Sequence, residues 1–283
     1  MKAMYDNALA QNGEIYDIAR TATKDFRRIS AAAISADSRI IKILRYAIAP
    51  SISQMKFGQF FGLGSIDKFE NDRLEPGSAK HNALLKIAPR IAAFVNDNLD
   101  HRRFIWVSED AKSRNAPQLA SEYARGWTCS IVSDQNAQTR YRNWRKDQQE
   151  HAIATKMVEL GYTRSSFTGI VRKATDIKIG EFTKEQKVQG RTRQKADLIA
   201  RSRKTRKLVL IEAKAVGVEI DSTKRIKECC DKANDWSMGS ELNEPAVATV
   251  IAGFFNATGI QNLLASGVTV IWEYRLSDLR SIL

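Results

Sequence analysis

The residues in this sequence best suited to chemistry lie in the stretch KADLIARSRKTRKLVLIEAK, residues 195–214. Asp197 and Glu212 are carboxylates near the ends of two short apolar runs, and Lys214 follows Glu212 by two positions. Hydrolysis of a phosphodiester requires a dense negative charge to be neutralised, a water to be deprotonated and a departing alkoxide to be stabilised. A hard divalent cation can serve all three needs when carboxylates hold it and leave coordination positions open. In a strand, side chains alternate between faces, so Leu210, Glu212 and Lys214 share one face, while Val209, Ile211 and Ala213 share the other. A hairpin through residues 201–207 would bring Asp197 beside Glu212. Lys214 would then be placed to orient a water or to offset charge in the transition state. A Glu-x-Lys pair ending an apolar strand is often only a solvated ion pair. The preceding Asp and the hairpin between them tip the balance toward a site.

A further acidic residue, Glu150, shares a helical face with Ile153, Ala154 and Met157. It is either aimed at the site or is a first-turn carboxylate favoured by the helix dipole. Basic residues flank these carboxylates. Lys184, Lys187, Arg191, Arg193 and Lys195 form one run, and Arg201, Arg203, Lys204, Arg206 and Lys207 form another. The second run reads equally well as a solvated hairpin tip. Lys224 and Arg225 follow the second strand, while Arg140, Arg142, Arg145 and Lys146 precede Glu150. Cations in these places suit backbone phosphates. His81, His101 and His151 show no metal-ligand spacing.

These residues must be positioned by an α/β core. Residues 195–200 and 208–214 read as strands, and Asp221 or Ser222 is suited to cap a helix running to about Met238. AVATVIAGFF, residues 246–255, is a dense apolar run suited to a buried central strand. A helix over 258–265, a strand over 268–274 and a last helix over 277–283 complete the series. Ahead of it the chain reads as helical. Apolar spacing predicts helices over 35–48, around Leu84 to Val95 with Pro89 inside, over 118–133, and separately over 148–160 with Gly161 as its C-cap. FGQFFGLGS, residues 57–65, reads as a loop or helix corner. The expected organisation is a helical N-terminal region over 1–140 and a core over 141–283.

Composition narrows the partners. The 283 residues include 45 Lys and Arg against 32 Asp and Glu, a formal net charge of +13. That surplus favours a polyanion. Cys129, Cys229 and Cys230 form neither a CxxC pair nor a disulfide framework, and no run reaches the ~18 apolar residues of a membrane span. A reducing cytoplasm is the expected compartment.

From Ile43 onward the chain resembles the XamI-type restriction endonucleases, a branch of the PD-(D/E)XK nucleases. The matching segments are LRYAIAPSIS (44–53), RRFIWVSED (102–110), RNWRKDQQE (142–150), GEF (180–182), RQKADLIAR, LIEAK, DSTKRIKE (221–228), KANDW (232–236), VIAGFF and GVTVIWEYRLSDL. Ala196 stands where the motif's name has proline, and Trp144 where the Arg-Asn segment of the family carries an acidic residue. The resemblance implies a PD-(D/E)XK core, a mixed central sheet flanked by helices, preceded by the helical region. It implies Mg²⁺-dependent, sequence-specific cleavage of double-stranded DNA by a type II enzyme, leaving 5′-phosphates. Asp197, Glu212 and Lys214 are its expected catalytic set, with Glu150 as the upstream acid. Asp197, Glu212 and the Ala213 backbone carbonyl are the expected metal ligands. Arg142, Lys146, Arg193, Lys195, Lys224 and Arg225 are expected on DNA. A homodimer and a cognate DNA methyltransferase are the implied partners. Two other readings predict different behaviour: a structure-specific repair or recombination nuclease with the same core, and a DNA-binding protein without catalysis.

Overall fold

The computed structural model describes residues 1–107, 117–217 and 219–283. The chain divides into two compact units, Met1–Tyr141 and Arg142–Leu283.

The first unit is helical: α1 (Lys2–Ala22), α2 (Ala31–Ala36), α3 (Ile40–Ala47), α4 (Gln54–Phe61), α5 (Asp67–Asn71), α6 (Ala79–Asn98) and the first part of α7 (Gln118–Glu159). Its core gathers Tyr16, Phe26, Ile34, Ile40, Ile43, Leu44, Phe57, Leu84, Ile91 and Phe104. Arg45 and Glu70, both nearly fully buried, pair inside it. Three helices begin with a serine whose hydroxyl accepts a hydrogen bond from a first-turn amide: Ser30, Ser53 and Ser78.

The second unit holds the end of α7, then β1 (Thr163–Arg164), β2 (Ile170–Val171), β3 (Glu181–Lys184), β4 (Lys187–Gln189), β5 (Arg193–Lys195), β6 (Leu198–Arg201) and β7 (Leu208–Val216). After these come α8 (Glu219–Ser237), β8 (Ala246–Gly253), α9 (Ala257–Ala265), β9 (Val268–Trp272) and a 3₁₀ segment, Glu273–Ser281. The main sheet runs β1-β3-β6-β7-β8-β9, and β2-β4-β5 form a small second sheet. β3, β6 and β7 are antiparallel, whereas β7, β8 and β9 are parallel through the crossover helices α8 and α9. The alternation expected of β7 sorts its side chains onto two cores. Leu208 and Leu210 pack with Ile226, Cys229, Ala233 and Trp236 of α8 and Leu263 of α9. Val209, Ile211 and Ala213 pack with Ile153 and Met157 of α7 and with Leu279 and Leu283. The unit is a mixed sheet flanked by helices, as expected of the core.

Several elements differ from expectation. The helices expected over 118–133 and 148–160 are one helix, α7. Residues 57–61 are helical and belong to α4, which closes on Gly62 in the left-handed conformation (φ 69°). The single helix expected over 35–48 is two, α2 and α3. The strand expected over 195–200 breaks at Ala196 and Asp197, with β5 in the small sheet and β6 in the large one. α8 starts at Glu219, ahead of the expected caps, and the side chain of Asp221 lies outside the described residues. The closing helix is 3₁₀ and starts earlier, at Glu273. Residues 108–110, the end of the segment RRFIWVSED, also lie outside the described residues.

Candidate active site

Asp197 sits one residue ahead of Leu198, which pairs with Ile211 across the β6–β7 ladder. That antiparallel register sets Asp197 opposite Glu212. Asp197 is 5% exposed, and its Oδ2 accepts a hydrogen bond from the Ala213 amide at 2.9 Å. Its own carbonyl accepts from the Glu185 amide at 2.9 Å, which ties the β3–β4 turn to the same place. Glu185 occupies that turn with φ at 56°.

Glu212 is 1% exposed and meets two ammonium groups. Lys214 Nζ donates to its Oε2 at 2.8 Å, and Lys232 Nζ donates to its Oε1 at 2.8 Å. Lys232 comes from α8, the helix packed on the Glu212 face of β7. Its Nζ also donates to the Lys195 carbonyl at 2.6 Å and lies 5.7 Å from the centre of the Trp236 ring. Burial opposes the charge on Lys214, but Glu212 outweighs it, and the ammonium's pKa is raised above that of an ordinary lysine.

On the α7 side a different cation is central. Lys146 Nζ lies 3.1 Å from Glu150 Oε1, 3.6 Å from Glu185 Oε1 and 3.6 Å from Asp197 Oδ1. Burial works against this ammonium too, but Asp197, Glu150 and Glu185 together hold its pKa well up. Glu150 is buried, and among the described residues its Oε1 has no donor besides the Lys146 ammonium. Burial pushes the Glu150 carboxyl up, and the neighbouring charges of Asp197 and Glu185 add to the push. Gln149, beside it on α7, donates from Nε2 to the Val250 carbonyl at 3.1 Å and so fixes the helix on β8.

Asp197, Glu212 and Lys214 therefore lie at one place in the sheet, with Glu150 reaching Lys146 beside it from α7, in two cation-centred groups. Glu212 with Lys214 and Lys232 forms one; Lys146 with Glu150, Glu185 and Asp197 forms the other. The Ala213 peptide bridges them. Among the described residues no three His, Cys, Asp or Glu side chains close on one point as a ready metal cage would. The donor set nevertheless fits Mg²⁺, which favours a few carboxylate oxygens and keeps waters of its own. The orphaned Oε1 of Glu150 is the kind of buried acceptor such a cation, or its water, would satisfy.

Of the residues expected on DNA, Arg142, Arg193, Lys224 and Arg225 are exposed. Arg193 Nε bonds Gln189 Oε1 at 3.0 Å, and Arg225 pairs with Glu228 at 3.1 Å. Lys195 pairs with Glu185 at 2.7 Å, and Lys146 is drawn into the carboxylates. Much of the second basic run serves the fold. Arg203 donates to the Gly161 carbonyl and covers the Tyr162 ring at 5.3 Å, Arg201 Nε donates to the Arg206 carbonyl, and Lys207 pairs with Glu244. Arg145 pairs with Glu273.

The sequence profile of the family described as XamI restriction endonuclease matches residues 24–272. The chain belongs to the XamI restriction endonuclease family. It is also 25% identical over 270 residues to the type II restriction enzyme SalI of Streptomyces albus G, covering 92% of this chain and 83% of that one. It is a type II restriction endonuclease, a phosphodiester hydrolase. A solved structure, protein VC1899 from Vibrio cholerae, aligns with 98% of the chain at 11% identity and a TM-score of 0.27. The restriction endonuclease spans 55% of that protein's length. Among the described residues no helix is long and apolar enough to cross a membrane.

Lys232 and Glu185 were not foreseen as members of the site of this restriction endonuclease. Lys232 borders the apolar stripe of α8 (Ile226, Cys229, Ala233, Trp236), and a lysine on that edge was the available signal. Glu185 carries none: it reaches the site because its turn is bonded to Asp197.

Proposed function

We propose that this enzyme cuts both strands of double-stranded DNA at a specific sequence, with Mg²⁺ held by Asp197, Glu212 and the Ala213 backbone carbonyl. The observation that supports this most strongly is the Asp197–Ala213 hydrogen bond, which sets two carboxylates on either side of one peptide. When bound, Mg²⁺ would neutralise phosphate charge, lower the pKa of a water and stabilise the departing oxygen. Lys214, which shares the Glu212 face, holds a positive charge where the attacked phosphate gains negative charge. Glu150 acts as the upstream acid, its carboxylate directed at the same centre from α7. Arg142, Lys146, Arg193, Lys195, Lys224 and Arg225 contact the phosphate backbone and position the duplex. The chain acts as a homodimer in the cytoplasm beside a methyltransferase that protects the same sequence.

The test is digestion of plasmid DNA with Mg²⁺ or with EDTA. Discrete, Mg²⁺-dependent fragments are expected, lost in Asp197→Asn and Glu212→Gln. Lys214→Ala should stop cleavage while the protein still shifts a specific duplex in Ca²⁺. Selective nicking of junctions would indicate a structure-specific nuclease, and a gel shift without cutting would indicate a binding protein; either outcome refutes the proposal.

A further inference from the structure

The lysines of this site are held in two ways. Lys214 and Lys232 reach Glu212 at 2.8 Å and Lys195 reaches Glu185 at 2.7 Å, the lengths of directed, charge-assisted hydrogen bonds. Lys146 is held at longer range. Its ammonium stands 3.1, 3.6 and 3.6 Å from carboxylate oxygens of Glu150, Glu185 and Asp197. These come from three separate segments: α7, the turn after β3, and the junction before β6. One of the acceptors, Glu150 Oε1, is buried and among the described residues has no donor besides the Lys146 ammonium. A point charge surrounded by several carboxylates at longer range is the situation of a loosely coordinated cation. The Lys146 side chain is 44% exposed, so it can leave for solvent or a phosphate without unfolding anything.

We propose that Lys146 is a built-in counter-ion, holding in the free enzyme the Asp197 and Glu150 side of the divalent cation's place, and that the metal reaches Asp197 by displacing it. The inference rests on the reading that the metal binds at Asp197 and Glu212. It assigns Lys146 a role other than simple phosphate contact: the ammonium keeps the carboxylates together and neutralised until metal arrives. An enzyme so arranged binds metal weakly when free. A duplex whose phosphate draws Lys146 away would strengthen metal binding, because the competitor is removed from the carboxylates.

The experiment is calorimetric titration of the full chain with Ca²⁺ alone, in the absence of DNA. Lys146→Gln should bind Ca²⁺ at least about tenfold more tightly than the wild type, since both competition and like-charge repulsion are removed. Lys146→Arg, which keeps the charge, should stay near the wild type. Lys207→Gln is the control for overall charge, because among the described residues the Lys207 ammonium pairs with the exposed Glu244 and not with any of these carboxylates. It should change affinity by less than about threefold. Asp197→Asn separates the two levels of the argument. If it leaves Ca²⁺ binding unchanged, the ion binds elsewhere and the metal assignment itself fails. If it abolishes binding while Lys146→Gln gains nothing, or Lys207→Gln gains as much, the metal assignment stands and the counter-ion role is refuted. Should Lys146→Gln not fold, the wild type gives the answer by NMR after reductive ¹³C-methylation of its lysines, with Lys146→Arg identifying the resonance. The Lys146 signal should move with the calorimetric saturation of Ca²⁺, and a stationary signal overturns the proposal.

Discussion

The arrangement around Glu212 makes an asymmetric prediction about stability. One carboxylate, 1% exposed, balances two ammonium groups whose side chains are 13% and 21% exposed. Glu212→Gln removes the shared partner and leaves both cations facing a neutral amide. Breaking a buried pair from one side costs about 3–5 kcal/mol, because the remaining charge has lost its water and its partner. The low end applies here, about 3 kcal/mol, since both lysines retain some solvent and Lys232 keeps the Lys195 carbonyl and the Trp236 face. Lys232→Met is milder: Glu212 still has Lys214, and the loss should be about 1–2 kcal/mol. In the double variant fewer charges are stranded, so its cost should fall short of the sum by about 1–2 kcal/mol. The measurement is urea unfolding in EDTA, followed by hydrogen exchange at amides of β7 and α8. Local exchange is needed because two compact units need not unfold together. If Glu212→Gln proves no less stable than Lys232→Met, or the two losses simply add, the account of Glu212 as the shared counter-charge is wrong.

Other expectations follow from single contacts. Gly253 has φ at 92°, and a Cβ there would lie 1.9 Å from the Val216 carbonyl oxygen. Gly253→Ala should therefore lower stability by about 2–3 kcal/mol in denaturant melts, and a neutral result would show that the end of β8 can shift. Burial pushes the thiols of Cys129 and Cys229 up to about 11. At pH 8 an alkylating reagent should modify the partly exposed Cys230 first and reach the other two only on unfolding, as mass spectrometry of labelled peptides would show. The Arg125 guanidinium bonded to Asp17 holds that carboxyl below its usual 3.8. The resulting stability is present above pH 3.8 and is lost as pH falls through the lower folded value. With both side chains over 40% exposed it amounts to at most about 1 kcal/mol. Asp17→Asn should melt slightly below the wild type at pH 7 and converge with it in acid; a constant gap would assign the effect to packing.

The sheet could be read from the sequence where burial writes a pattern. β7 alternates between two cores and β8 is apolar almost throughout, so each announced itself, as did the hairpin that sets Asp197 opposite Glu212. α7 did not, because the middle of the helix, TRYRNWRKDQ (139–148), is polar and offers no apolar stripe to join its two ends. The small sheet writes no such pattern, because its strands have two or three residues and β4 and β5 consist mostly of lysine, arginine and glutamine. α4 is obscured by its glycines, which read as a loop or helix corner, although Ser53 and Gly62 cap its two ends. The edge of the apolar stripe of α8 hints at Lys232, whereas no local pattern reports Glu185, whose place follows from the bond between its turn and Asp197.

The bond from the Ala213 amide to Asp197 has a practical consequence. This carboxyl completes a β-ladder where the strand has no carbonyl to offer, so it is also a piece of backbone scaffolding. Truncation to alanine would strand an amide in the interior along with whatever chemistry it silenced, and lengthening to glutamate would push the acceptor past its donor. Asparagine alone keeps an oxygen at that reach, which makes it the substitution that can distinguish an inactive enzyme from a broken one.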